Sequence, residues 1–207
     1  MTISAVVFDL GGVLTVPPFV GINAYEDEIG LPRDSLIPYF RGDPVMSRVE
    51  RGEIPVRDFW KYLGTTVQER HGVRIDLRRF AEVAETAGSL EPQMIDLVRE
   101  LHGRYRLGLL TNNVKEASKW RRELPHDLFD VQIDSSDVGL RKPDPLIYEL
   151  MVEKIGHPAS KIAYVDDFEE NLPPARDLGL NVVHFTDPGQ CRAALEAFGI
   201  DISNGEG

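Results

Sequence analysis

At 207 residues the chain is long enough to bury a sizeable core, as one domain with room for a small appendage, and its 42% hydrophobic and 28% charged residues exclude a disordered or membrane-embedded chain. Its 34 acidic against 23 basic residues, a net charge of −11, exclude a surface built to grip nucleic-acid phosphates. With a single cysteine, Cys191, no apolar run near the ~20 residues of a spanning helix and no signal-peptide pattern at its start, the expectation is a soluble, cytoplasmic protein without disulfide, membrane or nucleic-acid partner.

The first element in chain order is ISAVVFDL (3–10), a nearly continuous apolar run of the kind a parallel strand covered on both faces requires. It ends on Asp9 and then on Gly11-Gly12, where a tight turn or a close backbone approach calls for glycine. Residues 16–87 carry no strand. INAYEDEIG (22–30), RDSLIPYFRG (33–42), VRDFWKYLGTTVQERHG (56–72) and DLRRFAEVAETAG (76–88) place apolar residues at three-to-four spacing among charges, which predicts short amphipathic helices packed on one another. A structureless loop of that length is rare, so the segment reads as a helical insert covering the end of the first strand.

Beyond it, strand and helix alternate. PQMIDLVRELHGR (92–104), PLIYELMVEKIG (145–156) and NLPPARDLG (171–179) read as helices, with Gly103, Gly156 and Gly179 at their ends. RLGLLTNN (106–113), KIAYVDD (161–167) and NVVHF (181–185) read as buried strands, and VQID (131–134) is a further strand candidate. The alternation predicts an α/β fold, a Rossmann-like doubly wound parallel sheet with right-handed crossovers. Its core is formed by 1–15 and 88–207, with 16–87 as the inserted all-helical cap; the tail DISNGEG (201–207) is expected to fray.

Ligands of open parallel sheets bind at the carboxyl ends of the strands, near the switch in strand order. There the chain presents Asp9, Thr111-Asn112-Asn113 and Asp166-Asp167, together with Lys142 in the proline-bounded loop GLRKPDP (139–145). Acids at that density repel one another unless a cation intervenes, and a hard divalent ion with oxygen ligands is the natural neutraliser. Taken singly, each residue also has a structural reading: Asp9 as a cap, Thr111 and Asn112 as turn formers, Lys142 as the solvated flank of a helix start. The last conflicts with the helix dipole.

Taken together, these residues resemble the haloacid dehalogenase (HAD) superfamily of hydrolases, mostly Mg²⁺-dependent phosphatases. FDLGGVL is similar to its first motif, LLTNN to its second, Lys142 in GLRKPDP to its third and YVDDFEEN to its fourth. The helical insert sits where the family's C1 caps sit, and the chain looks most like the branch holding the epoxide hydrolase phosphatase domain and sugar-1-phosphate phosphatases. The resemblance implies that Asp9 attacks phosphorus to form an aspartyl-phosphate. It also implies that Thr111 and Lys142 serve catalysis, that Gly11, Gly12, Thr111, Asn112, Lys142 and Asn171 surround the phosphoryl group, and that Asp9, the Gly11 carbonyl, Asp166 and Asp167 hold Mg²⁺. The substrate implied is a small phosphorylated metabolite, and the protein a monomer or homodimer.

One position departs from the pattern. Two residues after the nucleophile the family's phosphatases normally carry a second aspartate that protonates the leaving oxygen, a contribution of roughly 10²–10⁴ in rate; this chain has Gly11. The expected substrates are therefore those whose leaving group departs readily as an anion: anomeric sugar phosphates, acyl phosphates or aryl phosphates. A carbon–halogen hydrolase and a catalytically weak phosphoryl-binding module are the alternatives. Phe59 and Trp60 read as cap packing; Phe19, Tyr39 and Arg48 are candidates for the pocket lining, ranked behind the packing reading. His71, His102 and His126 show no ligand spacing, and Cys191 reads as inert packing.

Overall fold

The computed structural model describes residues 2–17, 19–87, 89–116 and 123–202. Five strands, β1 (Ala5–Phe8), β2 (Arg106–Thr111), β3 (Val131–Asp134), β4 (Ile162–Asp166) and β5 (Asn181–His184), form one parallel sheet in the order β3-β2-β1-β4-β5. The chain runs outward from β1 through β2 to β3, then returns to the other side of β1 for β4 and β5, so the order reverses between β1 and β4. Asp9 and Asp166 stand at that switch.

The apolar strands are covered on both faces, as a parallel sheet requires. Val6 and Phe8 pack with Leu107, Leu109 and Val165 against two helices, α6 (Pro92–Leu101) and α10 (Pro188–Ala197). Ala5 and Val7 pack with Leu110 and Tyr164 on the opposite face, against α8 (Pro145–Ile155) and α9 (Leu172–Asp177). Full burial of a side chain such as Phe8 contributes about 2–3 kcal/mol.

Between β1 and α6 lie α1 (Phe19–Ile29), α2 (Ile37–Phe40), α3 (Pro44–Glu50), α4 (Val56–His71) and α5 (Leu77–Ala87). They share a separate apolar cluster containing Ile22, Tyr25, Leu36, Phe59, Leu63 and Phe80, in which Phe40 stacks on Phe80 at 5.7 Å. The segment leaves and returns through a narrow neck, where Thr15 bridges Leu90, Val16 N–H donates to the Ser89 carbonyl at 2.9 Å and Glu91 N–H to the Leu14 carbonyl at 2.8 Å.

RDSLIPYFRG supplies only the single turn α2, because Arg41 is already extended. The helix α3 follows instead, with Asp43 capping it through Val45 N–H at 2.7 Å and Pro44 at its first position. The same Asp-Pro start opens α8 at Asp144-Pro145 and α10 at Asp187-Pro188; a short α7 (Ser135–Val138) follows β3. In the tail, Asp201 and Ile202 are held rather than frayed: Ile202 is buried and Asp201 N–H donates to the Tyr105 hydroxyl at 2.8 Å. The rest of the tail lies outside the described residues. Among the described residues no helix is long and apolar enough to cross a membrane.

Candidate active site

Successive strand residues face opposite sides of a sheet, and this sorts the polar residues at the strand ends. Asp9 and Asp166 continue the face of Val7 and Tyr164, and Asn112 continues that of Leu110, whereas Thr111 stays on the face of Leu109. From the loop between α7 and α8, Lys142 reaches between the two acids. Its Nζ lies 2.9 Å from Asp9 Oδ1 and 2.6 Å from Asp166 Oδ2, with the lysine 1% exposed. Leu10 N–H also donates to Asp9 Oδ1, at 2.7 Å. Asp166 accepts further from the Tyr164 hydroxyl, from Phe168 N–H at 2.8 Å and from Asn171 Nδ2 at 3.1 Å. Asn112 clasps the lysine's backbone in both directions: its Nδ2 donates to the Lys142 carbonyl at 2.9 Å, and Lys142 N–H donates to its Oδ1 at 2.8 Å.

Among the described residues one ammonium faces three carboxylates, and the imbalance shows in their ionisation. Burial pushes Asp9 up to about 8, with Lys142 opposing and the Asp166 and Asp167 charges adding to the rise. Burial, followed by the charge of Asp166, pushes Asp167 up to about 6. Burial alone would lower Lys142, but Asp166 and Asp9 outweigh it and hold the ammonium charged. One oxygen from each of Asp9, Asp166 and Asp167 lies within 4.8 Å of the others, and Asp167 Oδ1 is buried without a hydrogen-bond partner. Hard oxygen donors, excess negative charge and an orphaned carboxylate oxygen fit a divalent cation such as Mg²⁺. Asp166, expected among the ligands, belongs to the same cluster and also shares its oxygens with Lys142, Tyr164, Phe168 and Asn171, whereas Asp167 Oδ1 has no such partner.

The two glycines differ. Gly12 has φ +81°, and a Cβ there would stand 2.3 Å from Asp167 Oδ2, so both the backbone and the close approach demand glycine. At Gly11, whose φ lies outside the left-handed region, a Cβ would meet nothing within 4 Å. The reading of both residues as a backbone requirement therefore holds for Gly12 alone. Gly11 faces the cavity above Asp9; Gly12 lies behind it, in a depression shared with Thr15 and Asp167.

That cavity has a volume of about 470 Å³. Its floor carries Asp9, Gly11, Asn112, Lys142 and Asn171, and its walls are largely Phe19, Ile22, Phe40 and Met46 from the helical segment and Phe168 from the loop after β4. Phe19 and Phe168 meet edge to face at 5.7 Å. The Arg41 guanidinium lies 4.0 Å over the Phe168 ring and 3.4 Å from Glu170. Across the seam between α3 and the Lys142 loop, Arg141 Nε contacts Glu50 Oε2 at 2.6 Å; burial pushes the Glu50 carboxyl up and Arg141 pulls it down, with burial dominant.

Of the candidates for the lining, Phe19 is present. Tyr39 is buried in the helical segment's own core, and Arg48 points outward to Glu53 at 3.3 Å. Thr111, expected beside the phosphoryl group, donates to the Asn112 carbonyl at 3.4 Å and lines a separate depression with His126 and Asp134. Arg41, Glu50, Arg141 and Phe168 also border the cavity, outside the residues the sequence motifs single out. Arg141 and Phe168 adjoin Lys142 and Asp167 in the chain, a signal that adjacency could have supplied. Arg41 and Glu50 carry none.

A family model described as a haloacid dehalogenase-like hydrolase matches residues 3–179. Bifunctional epoxide hydrolase 2 of Sus scrofa is 30% identical over 216 residues, which cover 95% of this chain and 39% of that protein, so the chain spans about two fifths of its length. Sesquiterpene phosphatase astK of Aspergillus oryzae is 32% identical over 192 residues, 90% of this chain and 91% of the relative. A HAD family enzyme of Bacteroides thetaiotaomicron, crystallised in complex with magnesium and inorganic phosphate, shares the fold at a TM-score of 0.64 and 22% identity, covering 89% of this chain and 94% of the other.

Proposed function

The chain belongs to the haloacid dehalogenase-like hydrolases, and on that footing we propose that it is a Mg²⁺-dependent phosphatase of small phosphorylated metabolites, with residues 16–87 acting as the cap over the site. The observation that carries the reading is the carboxylate of Asp9 at the floor of the cavity, held by Lys142 Nζ and Leu10 N–H beside the partnerless oxygen of Asp167. The phosphatase name of the Aspergillus relative and the magnesium and phosphate bound by the Bacteroides enzyme support it.

In this reading Asp9 attacks phosphorus and the resulting aspartyl-phosphate is hydrolysed by water. Lys142 keeps Asp9 oriented and offsets charge on the phosphoryl oxygens, while Asp166 and Asn112 fix the lysine's head and backbone. Asp9 and Asp167, with the Gly11 carbonyl, would hold Mg²⁺, which supplies charge neutralisation and polarises the phosphoryl group. Phe19, Ile22, Phe40 and Met46 of the helical segment line the cavity around the reacting group.

No carboxyl group stands at Gly11 to protonate the leaving oxygen, which favours substrates with a leaving group stable as an anion. Phosphate release across a metabolite panel, with and without Mg²⁺, tests the reading. Wild type is expected to release phosphate only with the cation and Asp9→Asn to release none; activity surviving in Asp9→Asn would sink the assignment.

A further inference from the structure

Resting on that reading, we infer that the substrates are aryl phosphates, phosphoric monoesters of a phenolic hydroxyl. Two independent features of the site converge on this class. The first is the open, unfunctionalised position at Gly11. A Cβ at Gly11 would meet nothing within 4 Å, so neither the backbone nor a neighbour enforces glycine on this side of the cavity above Asp9. Without a proton donor at that point, the P–O bond must break with its electron pair leaving on oxygen. A phenolate spreads that charge into its ring, whereas an alkoxide cannot.

The second feature is the chemistry of the walls. Phe19, Ile22, Phe40, Met46 and Phe168 offer apolar surface to the organic part of the substrate. Among the described residues, the nitrogen donors that share the cavity already have partners. Asn112 uses both ends of its amide on the Lys142 backbone, Asn171 donates to Asp166, Arg141 is paired with Glu50 at 2.6 Å, and Arg41 is laid on Phe168 and directed to Glu170. A sugar ring would bury several hydroxyls against this wall, at a cost for each that finds no partner. A second anionic group on the substrate would find the guanidinium of Arg141 already neutralised.

Sugar-1-phosphates therefore meet the leaving-group condition and fail at the walls. Alkyl phosphates of apolar alcohols suit the walls and fail at Gly11. Acyl phosphates also leave readily but bring a carbonyl oxygen that needs a donor at the apolar wall. Aryl phosphates satisfy both conditions. Asp9 forms its bond to phosphorus as the phenolate departs. Water then cleaves the aspartyl-phosphate, its oxygen passing to inorganic phosphate and its protons to the phosphate and the phenolate, which restores the Asp9 carboxylate.

The test compares phenyl phosphate, cyclohexyl phosphate and glucose-1-phosphate on the Mg²⁺-loaded protein by kcat/KM, so that hydrolysis of the shared aspartyl-phosphate drops out. Phenyl phosphate is expected to exceed cyclohexyl phosphate, of equal carbon count, by about 100-fold or more, the low end of what a general acid supplies, and to exceed glucose-1-phosphate by at least about 10-fold, the cost of roughly one unpartnered buried hydroxyl. Gly11→Asp should shrink the phenyl-to-cyclohexyl ratio about tenfold or more while leaving the phenyl-to-glucose ratio in place. The inference falls if cyclohexyl phosphate or glucose-1-phosphate matches phenyl phosphate, or if Gly11→Asp leaves the first ratio unmoved. Those outcomes leave the phosphatase reading standing; phosphate release that persists in Asp9→Asn, or its absence from every substrate, overturns that reading itself.

Discussion

Substituting alanine separately at Gly11 and Gly12 separates two roles that adjacent identical residues conceal. In Gly12→Ala the new Cβ would begin 2.3 Å from Asp167 Oδ2 and 2.7 Å from its Cγ, against an ordinary carbon contact of about 3.5 Å. The carboxylate must give way by about 1 Å, leaving its staggered well at roughly 1 kcal/mol, and holding alanine at φ +81° adds about 1–2 kcal/mol. The total, about 2–3 kcal/mol, lowers Tm by roughly 4–12 °C for a chain of this size. Because Asp167 carries the orphaned oxygen, Mg²⁺ affinity should fall about tenfold or more as well. Gly11→Ala meets nothing within 4 Å, so its stability should stay within about 1 kcal/mol of wild type, on the stabilising side. Urea denaturation and Mg²⁺ titration calorimetry on both variants decide the matter. Equal losses in the two, or Gly12→Ala binding the cation as tightly as wild type, would refute the reasoning.

Lys142→Met removes the one ammonium between Asp9 and Asp166 and should cost about 3–5 kcal/mol in urea denaturation at pH 8. The loss should be smaller at pH 5: a carboxyl raised in the fold keeps its proton there, so stability is retained at low pH and falls as pH rises, and a pH-independent loss would count against the pair. Arg141→Met leaves Glu50 buried without its partner and should cost about 3 kcal/mol, the low end for a broken buried pair, with the penalty growing as pH rises above the ordinary carboxylate range because burial already raises Glu50; Arg141→Met combined with Glu50→Gln should recover most of it. Mg²⁺ must displace protons from Asp167, at about 6, and Asp9, at about 8, so apparent affinity should climb by up to about tenfold per pH unit between them; calorimetry in buffers of different ionisation enthalpy would show the released protons, and a flat profile would contradict the burial argument.

How far the sequence led can be argued from single residues. Val6, Val7 and Phe8 announce a strand covered on both sides because no polar residue interrupts them, and VQID is a strand at the positions its composition suggested. The helix α3 does not show in the periodicity, although Asp43-Pro44 is a local start signal, since its apolar residues are too few for a period to emerge. Thr111 and Asn112, adjacent in the chain, part company because alternation along β2 sends their side chains to opposite faces. That separation follows from strand periodicity, but which face holds the cavity does not.

The sequence by itself determined the α/β alternation, the helical segment after the first strand, and the identity of the chemical groups at the strand ends, because each is written in local periodicity or in residues a few positions apart. Only the tertiary structure decided which acid keeps a carboxylate oxygen without a hydrogen-bond partner, that Gly12 yields to Asp167 while Gly11 yields to nothing, and that Phe19 and Phe168, 149 positions apart in the chain, line one apolar wall of the cavity above Asp9. Those outcomes depend on which atoms of distant segments come within hydrogen-bonding or van der Waals reach, a property of packing that no stretch of sequence carries alone.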